Sequence, residues 1–376
     1  MNKLKILLTG GGTGGHIYPL ISVAEQLYFL AAEQKKEAEI RYFGPASNLN
    51  REFEIRGIKV VKIFSSKWRR YFSLKNFIDV PKFVLSFFQA LFKILLFMPD
   101  AVFSKGGPGA LAVVLASRFY RIPVFIHESD SVPGLTNRLS SRFSQKIFIS
   151  FEKTVQYFPS EKVILTGNPI RTGILEDIPG PETAKKNLGF NPGESIILVL
   201  GGSQGAVKIN NFILDNLEEI LKAAQLIHQS GPANFEEVKK ESDFLLKTLG
   251  DFYKNRYHLT GYLEGVKDIK EVFAAADLIL SRAGAGAIFE IAAFGKPAIL
   301  IPLEESASDH QRINAYEYAE RGAAVVLEEN NFKPNIFLIQ AQKILGDAEL
   351  KRKMSEAAKK FAKPDAARKI AEGILL

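Results

Sequence analysis

A buried-strand pattern that runs directly into a glycine-rich turn and then into a helical pattern most restricts what this chain can fold into. It occurs at KILLTGGGTGGH (residues 5–16) and again at SIILVLGGSQGA (195–206). Related turns follow further apolar runs, at KGGPGA (105–110) and SRAGAGA (281–287). Short apolar strands that alternate with helical stretches are typical of parallel sheets covered by helices. We therefore predict an α/β fold with doubly wound parallel sheets.

The restart of this pattern in mid-chain predicts two domains. Residues 180–194, rich in Pro, Gly and charge, fit a connection, and 376 residues fit two or three domains of roughly 100–200 residues each. We predict an N-terminal domain over 1–167 and a C-terminal domain over 168–351, with a final helix, about 352–376, packed back on the first. Ligands of such sheets bind beyond the carboxyl ends of the strands, so two such domains are expected to face a cleft.

The glycine turns favour an anion site. Glycine lets the backbone approach a ligand closely, and a helix that follows directs free N–H groups and its positive dipole end outward. One such turn fits tight strand–helix packing equally well, whereas four at equivalent strand ends favour a ligand. The first turn is no P-loop, because no Gly-Lys-Ser/Thr follows it. The acid of a dinucleotide fold is also missing after the second strand, which ends in RYFG (41–44).

Composition and charge exclude several functions. The chain contains no cysteine, which excludes disulfides, thiolate metal sites and a cysteine nucleophile and fits a reducing compartment. A net charge of +8 leaves nucleic acid and anionic membranes as partners to weigh. The apolar start is too short for a signal peptide and predicts a first strand. No uninterrupted apolar run approaches the roughly 20 residues of a membrane-spanning helix, so we expect no span.

A basic and aromatic stretch over residues 65–97 is the main candidate for a partner surface. Its first part contains the cluster Trp68, Arg69, Arg70 and Tyr71. Aromatic and cationic side chains suit the headgroup region of an anionic bilayer, which we favour for 67–77. The later part, 83–97, fits a buried helix equally well. The basic aromatic patch is short and no RNA-binding signature accompanies it, so we expect no nucleic-acid partner.

Six motifs, in the order in which they occur, carry a resemblance to a known family: GGTGGHIYP, HESDSVPGLTNR, GNPIR, GGSQGA, SRAGAGAIFE and DHQRINA. From residue 10 to about 314 the chain resembles the MurG family. These bacterial transferases move N-acetylglucosamine from UDP-N-acetylglucosamine to lipid I, the undecaprenyl-diphosphate-linked muramoyl-pentapeptide, and so form the lipid II of peptidoglycan synthesis. The resemblance implies the glycosyltransferase B fold of two Rossmann-like domains. The first domain would bind the acceptor and the membrane, and the second the UDP-sugar.

The resemblance also implies partners and a location. The partners would be UDP-N-acetylglucosamine, lipid I and the anionic inner-membrane surface, and the enzyme would be peripheral on the cytoplasmic face of the bacterial plasma membrane. No metal or other cofactor is expected, because the sequence has no Asp-X-Asp pair and helix N-termini with Arg171 suit the charge of the departing UDP.

The site residues follow from the same resemblance. Arg171 and Ser203 would reach the phosphates, Glu290 would hold the ribose hydroxyls, and the turn at Gly106 and Gly107 would hold the acceptor diphosphate. The full donor set is Thr13, Gly14, Gly15, Asp130, Arg171, Ser203, Leu263, Ala285, Gly286, Ala287, Glu290 and Gln311.

His16 closes the first glycine turn, and two interpretations of it stay open. A neutral imidazole is a suitable general base for the acceptor's 4-hydroxyl in a direct displacement that inverts the anomeric carbon. The ring would otherwise only orient the turn by hydrogen bonding. Glu128, at the end of the fifth predicted strand, is a second candidate, for acceptor binding or proton relay.

Two positions depart from the family pattern. Asp130 stands where the family usually has asparagine, and the second turn reads GGPGA instead of Gly-Gly-Tyr-Val-Ser. This chain can therefore differ from the family in how it contacts the donor sugar and in how the acceptor fits. A glycosyltransferase acting on another lipid acceptor, a nicotinamide-dependent oxidoreductase and a membrane adaptor stay open as alternatives. The missing ribose acid argues against the oxidoreductase.

Overall fold

A computed structural model describes residues 3–64, 75–202, 205–263 and 265–375. The chain forms two compact units, of which the first comprises Met1–Arg171 and Lys363–Leu376 and the second Thr172–Ala362. Each unit is built on one parallel sheet flanked by helices. The predicted fold of two Rossmann-like α/β domains is therefore confirmed. The assignment of acceptor and donor to one unit each stays a prediction.

In the part of the first unit that the structure describes, seven strands and five α-helices precede the connection to the second unit. The strands are β1 (Lys3–Thr9), β2 (Glu37–Gly44), β3 (Lys59–Lys62), β4 (Ala101–Ser104), β5 (Val124–Glu128), β6 (Lys146–Ile149) and β7 (Val163–Leu165). The helices are α1 (Gly14–Glu33), α2 (Arg51–Glu54), α3 (Lys75–Phe97), α4 (Ala110–Phe119) and α5 (Leu135–Ser140). The sheet has the order β3-β2-β1-β4-β5-β6-β7.

Strand β1 shows why this sequence needs helices on both faces of its sheet. Ile6 and Leu8 pack into the core that contains α1, whereas Leu7 points to the opposite core, with Ile94 of α3 and Val113 of α4. Successive side chains of a strand point to opposite faces, so an uninterrupted apolar run has to be covered twice.

The second unit repeats this design, with six strands among its described residues. They are β8 (Ile196–Leu200), β9 (Gln225–Gln229), β10 (Tyr257–Thr260), β11 (Leu278–Ser281), β12 (Ala298–Leu300) and β13 (Ala324–Val326), in the order β10-β9-β8-β11-β12-β13. Its helices are α6 (Pro181–Asn187), α7 (Val207–Asp215), α8 (Leu217–Ala223), α9 (Phe235–Leu249), α10 (Asp251–Lys254), α11 (Val266–Ala275), α12 (Ala285–Ala293), α13 (His310–Ala319), α14 (Pro334–Gly346) and α15 (Ala348–Phe361).

The last helix, α16 (Ala366–Leu375), belongs to the first unit. Its Ile370 and Ile374 are buried in the core shared with α1, and a Cβ on Gly373 would lie 2.8 Å from the ring of Phe148. One helix was expected from about residue 352, but the structure has two, α15 and α16. Pro364 lies between them and disfavours a helical residue before it.

Helix α3 is apolar on more than one face. Ala90, Ile94 and Phe97 pack on the sheet of the first unit, while Phe88, Phe92 and Leu96 are 62%, 63% and 68% exposed. Among the described residues, Asp79–Phe97 is the one helix long and apolar enough, by length and composition, to cross a membrane. Lys82 and Lys93 interrupt the apolar run of this helix, but they do not make the helix polar on average. That the chain has no membrane span stays a prediction.

Candidate active site

All four predicted glycine turns lie at the carboxyl end of a strand and lead into a helix. They follow β1, β4, β8 and β11 and precede α1, α4, α7 and α12. Strand β1 pairs with β4, and β8 pairs with β11, so each unit has two such turns at adjacent strand ends. At this point in each sheet the strand order reverses direction, which is where open α/β sheets bind ligands.

Glycines of the first unit's turns allow close packing around His16. A Cβ on Gly11 would lie 2.9 Å from His16 Nδ1, and a Cβ on Gly107 would lie 2.9 Å from the backbone nitrogen of Gly11 and 3.1 Å from His16 Nε2. Gly107 also has a φ of +87°, in the left-handed region that favours glycine. Any side chain at either glycine would therefore displace the histidine ring or the neighbouring turn.

The His16 ring is oriented by Thr13. Thr13 Oγ1 lies 2.9 Å from Nδ1, while Nε2 faces Gly107 of the second turn. When Nδ1 carries the proton and donates it to Thr13, Nε2 presents a free lone pair toward the second turn. Burial and the positive charge of Lys105 lower the pKa of His16 to about 4, so the ring is neutral near pH 7. The same pKa lies below the near-neutral value that makes a strong general base.

Lys105, which begins the second turn, is a buried cation that sequence reasoning missed. Its Nζ donates to Asn168 Oδ1 at 3.1 Å and contacts Ser129 Oγ and His127 Nδ1. His127 Nε2 lies 2.9 Å from the carbonyl of Gly167, so Nε2 carries the ring proton and Nδ1 accepts from the lysine. Burial lowers the pKa of Lys105, and nearby carboxylates partly offset this effect. One ammonium thus joins the ends of β4 and β5 to the GNPIR segment.

Glu128 organises the loop that follows β5. Its Oε1 accepts from the backbone nitrogen of Asp130 at 3.1 Å, and its Oε2 accepts from the backbone nitrogen of Gly134 at 3.1 Å and from Asn137 Nδ2 at 2.9 Å. The side chain is buried, and burial together with the charge of Asp130 raises its pKa. These contacts favour a loop-organising role for Glu128. A proton relay through it stays a prediction.

The GNPIR segment is attached to α1. Ser22 Oγ donates to the carbonyl of Ile170 at 2.7 Å, and the Arg171 guanidinium lies 4.2 Å from the centre of the Tyr18 ring. Arg171 is therefore held against the helix whose first turn carries His16. Its contact with phosphate stays a prediction.

The start of α12 is open around its glycines. The helix begins at Ala285, and the N–H groups of its first turn have no acceptor within the helix. An added Cβ on Gly284 or Gly286 would meet nothing within 4 Å. Asn314 Nδ2 donates to the carbonyl of Ala283 at 3.2 Å, which fixes the turn from α13. Glu290, one and a half turns into the helix, is partly exposed.

Gln311 lies in the first turn of α13. Its Oε1 accepts from the backbone nitrogen of Leu303 at 3.2 Å, and its own backbone nitrogen donates to Ser306 Oγ at 3.3 Å. Ser308 and Asp309, just before it, have φ values of +57° and +56°, which cost energy in residues other than glycine. Strained backbone of this kind is concentrated at functional sites, which makes this turn a candidate for ligand contact.

Comparisons with known proteins identify the family. Profiles described as the N-terminal and C-terminal domains of glycosyltransferase family 28 match residues 6–149 and 196–370. A UDP-N-acetylglucosamine--N-acetylmuramyl-(pentapeptide) pyrophosphoryl-undecaprenol N-acetylglucosamine transferase of Treponema denticola is 36% identical over 89% of this chain and 86% of its own. A Bacillus cereus transferase of the same description, numbered 2, is 34% identical over 98% and 99%.

The chain belongs to the MurG family. The crystal structure of Acinetobacter baumannii MurG is also similar, with a TM-score of 0.74 and 26% identity over 99% of both chains. A crystal structure of UDP-GlcNAc 2-epimerase from Neisseria meningitidis shares the fold at 18% identity and a TM-score of 0.66.

In this MurG-family chain the structure brings together only part of the predicted site. Within the first unit, His16 lies beside Gly107, Gly106 lies against the Asn137 side chain, and Asp130 is in the loop that Glu128 organises. Thr13, Gly14 and Gly15 belong to the same turn and first helical turn as His16. Within the second unit, the first turn of α12 and Glu290 share one helix, while Leu263 is buried after β10. Ser203 and the cluster Trp68, Arg69, Arg70 and Tyr71 lie outside the described residues.

Two further residues support the first turn and were missed in the sequence. The Tyr42 hydroxyl donates to the carbonyl of Gly10 at 3.1 Å, and Ser47 Oγ donates to the carbonyl of Gly12 at 2.7 Å. Tyr42 is part of the RYFG stretch at the end of β2, where dinucleotide folds place their ribose acid. The sequence shows that this acid is absent, but it does not show that the Tyr42 hydroxyl supports the first turn. Across the described residues, no group of three or more His, Cys, Asp or Glu is arranged to hold a metal.

Proposed function

We propose that this chain transfers N-acetylglucosamine from UDP-N-acetylglucosamine to the 4-hydroxyl of the muramoyl sugar of lipid I, and so forms lipid II. The observation that carries the assignment is the match to transferases of that description, at 34–39% identity over 87–98% of this chain. Glycine turns at adjacent strand ends in both units support it, because backbone amides there suit a diphosphate. The names of the relatives favour lipid I over another lipid acceptor and over a nicotinamide cofactor.

The second unit is the proposed site of the donor. The first-turn amides of α12, at Ala285, Gly286 and Ala287, would face the diphosphate, and the Glu290 carboxylate would accept hydrogen bonds from the two ribose hydroxyls. The open space around Gly284 and Gly286 supports this assignment, because a diphosphate needs close approach to the backbone. Leu263 would lie at the uracil and Gln311 at the sugar.

His16 is the proposed general base. Its Nε2 would take the proton of the acceptor's 4-hydroxyl as that oxygen forms its bond to the anomeric carbon. The bond from the anomeric carbon to the diphosphate oxygen breaks in the same step, which inverts that carbon and leaves the electron pair on UDP. The neutral ring and the contact of Nδ1 with Thr13 support this role. The turn at Gly106 and Gly107 would hold the acceptor diphosphate.

We propose that the reaction needs no metal. Negative charge grows on UDP as the bond breaks, and preorganised amides with the Arg171 guanidinium stabilise such charge without a cation. EDTA should then leave the rate within about twofold of the untreated enzyme, since no interaction on which the reaction depends is removed. Abolition of transfer by EDTA, with recovery on adding Mg²⁺ or Mn²⁺, would refute this part.

Helix α3 is the proposed membrane contact. Its exposed side chains Phe88, Phe92 and Leu96 form a stripe at every fourth residue, which places them on one helix face. A cavity of about 730 Å³ beside the helix is lined by Lys62, Lys82 and Lys93. Apolar side chains flanked by cations suit the headgroup boundary of an anionic bilayer. Because the opposite face of α3 packs on the sheet, we infer a peripheral enzyme on the cytoplasmic face, where the nucleotide sugar is available.

The test is transfer of labelled N-acetylglucosamine to a soluble lipid I analogue. We expect a labelled disaccharide product, competition by unlabelled UDP-N-acetylglucosamine, and much weaker competition by UDP-glucose. Diacylglycerol and sterol acceptors, offered in the same assay, should receive no label. Transfer to either of these in place of the lipid I analogue would overturn the assignment.

A further inference from the structure

A buried histidine of the second unit connects three of its elements through side-chain hydrogen bonds. His228 lies in β9 and is fully buried. Its Nε2 lies 3.0 Å from Oδ1 of Asn210 in α7, and its Nδ1 lies 2.9 Å from the hydroxyl of Tyr257 in β10. A buried imidazole with unpaired nitrogens costs free energy, so both contacts stabilise the ring in this orientation.

Asn210 determines the direction of these hydrogen bonds. Its Nδ2 donates to the carbonyl of Ser230 at 2.9 Å, so its Oδ1 is left to accept from the histidine. Burial lowers the pKa of His228 to about 4, and the ring is therefore neutral near pH 7. In this neutral ring Nε2 carries the proton, and Nδ1 accepts from the Tyr257 hydroxyl. The hydrogen bonds thus run in one direction, from the tyrosine to the backbone after β9.

The backbone after β9 lies against the glycine turn after β8, residues 201–206. A Cβ on Gly205 would lie 3.0 Å from the carbonyl oxygen of Ser230. The backbone nitrogen of Gly201 donates to the carbonyl of Gln229 at 2.9 Å, and a Cβ on Gly201 would lie 2.7 Å from that oxygen. The described glycines of this turn are therefore in direct contact with the carbonyls that end β9.

We propose that His228 and Asn210 are positioning residues for the donor site: their hydrogen bond fixes the amide that holds the carbonyl of Ser230, and through it the turn after β8 and the start of α7. Both side chains are buried, so they act through the turn and not by contact with the nucleotide sugar. This inference rests on the proposed function for its effect on the donor, whereas its effect on the turn is measurable without any nucleotide.

The amides at the start of α7 explain why the position of this turn matters. The helix begins at Val207, and the N–H groups of its first turn have no acceptor within the helix. Such amides stabilise a diphosphate best when they point at its site before it binds. Asn210, three residues further, links the start of this helix to the backbone after β9. Loss of its partner His228 should therefore weaken binding of the phosphates more than binding of the nucleoside.

The binding test compares two replacements of His228. His228→Gln keeps an amide N–H that can donate to Asn210, whereas His228→Leu removes the donor. UDP affinity, measured by isothermal titration, should fall about tenfold in His228→Leu and stay within about threefold of wild type in His228→Gln. Uridine affinity, measured by NMR, should stay within about twofold of wild type in both variants, because uridine has no phosphate. Wild-type UDP affinity in His228→Leu, or an equal loss for uridine, would overturn the proposal.

Tyr257→Phe is the matched control. It removes a buried hydrogen bond from the same ring but leaves the bond between His228 and Asn210. The variant should therefore lose stability, measured by thermal unfolding, while it binds UDP like wild type. A Tyr257→Phe variant that loses as much UDP affinity as His228→Leu would show that these residues act on stability alone, and would contradict the positioning role.

Hydrogen–deuterium exchange without nucleotide tests the turn itself. Exchange over residues 205–212 should be faster in His228→Leu than in wild type and unchanged in His228→Gln. Asn210→Ala should give the same increase, and combining it with His228→Leu should add little, because both changes break one connection. Unchanged exchange in His228→Leu would refute the inference.

Should His228→Leu fail to fold, Asn210→Ala is measured in its place, with the same expected and contradicting results for UDP affinity and exchange. Failure of the proposed function would look different. The wild-type chain would then bind no UDP, while the differences in exchange between the variants would still appear.

Discussion

His16 lies between two glycine turns, with Nδ1 beside the Thr13 hydroxyl and Nε2 beside Gly107. The motif alone made this residue a candidate base, because a histidine after a glycine turn is visible in the sequence. Its environment was not predictable, since the second turn and Lys105 come from residues about 90 positions later, and their approach depends on the pairing of β1 with β4. Local sequence thus indicated the residue but not its pKa.

A His16→Gln variant tests the base directly. Glutamine keeps a polar side chain of similar reach but cannot take up the proton, so kcat should fall about a hundredfold or more while the KM for UDP-N-acetylglucosamine stays within about threefold. Steady-state kinetics with varied donor measures both constants. His258→Gln, at an exposed position in the second unit, is the matched control. Retained turnover in the His16 variant would place the base elsewhere.

Glu290 is the residue that we propose accepts hydrogen bonds from the ribose hydroxyls. Replacement by glutamine removes the charge that favours two hydroxyl donors, so UDP affinity should fall about tenfold or more. Isothermal titration of UDP into each variant gives the affinity. Glu237→Gln, at an exposed position of α9, should bind UDP like wild type. Equal affinity of wild type and the Glu290 variant would remove the ribose role.

Helix α3 shows that the role of a segment depends on which of its faces are packed and which are exposed. The sequence left two interpretations of 83–97 open, a buried helix and a membrane contact, and the structure gives it one packed and one exposed apolar face. Periodicity failed to separate them because the apolar residues exceed one face of the helix.

The exposed face of α3 predicts a loss of membrane binding. Replacing Phe88, Phe92 and Leu96 together by glutamine removes apolar area that would enter the bilayer, at about 25 cal/mol for each Å². Cosedimentation with vesicles containing anionic phospholipid should fall at least tenfold, with UDP affinity unchanged. The control replaces Phe244 and Ile339, exposed apolar residues of the second unit, by glutamine. Equal vesicle binding by both variants would contradict the assignment of α3.

At the scale of the whole molecule, the chain repeats one design: a parallel sheet whose two central strands end in glycine turns. The sheet architecture was the most predictable feature, because alternating buried strands and helical stretches directly indicate a doubly wound sheet. The return of α16 to the first unit was expected, whereas the break before it follows from Pro364. The buried hydrogen bonds from Lys105 to Ser129 and Asn168 could not be predicted from the sequence, because they depend on side-chain packing between distant segments.

The central claim is that backbone amides at these turns hold the donor's diphosphate. Hydrogen–deuterium exchange, followed by mass spectrometry with and without saturating UDP-N-acetylglucosamine, measures those amides directly. We predict slower exchange over residues 282–290, which contain the turn before α12 and the helix's first turn. Binding of the nucleotide sugar with unchanged exchange over this segment, and protection only elsewhere in the chain, would contradict the account.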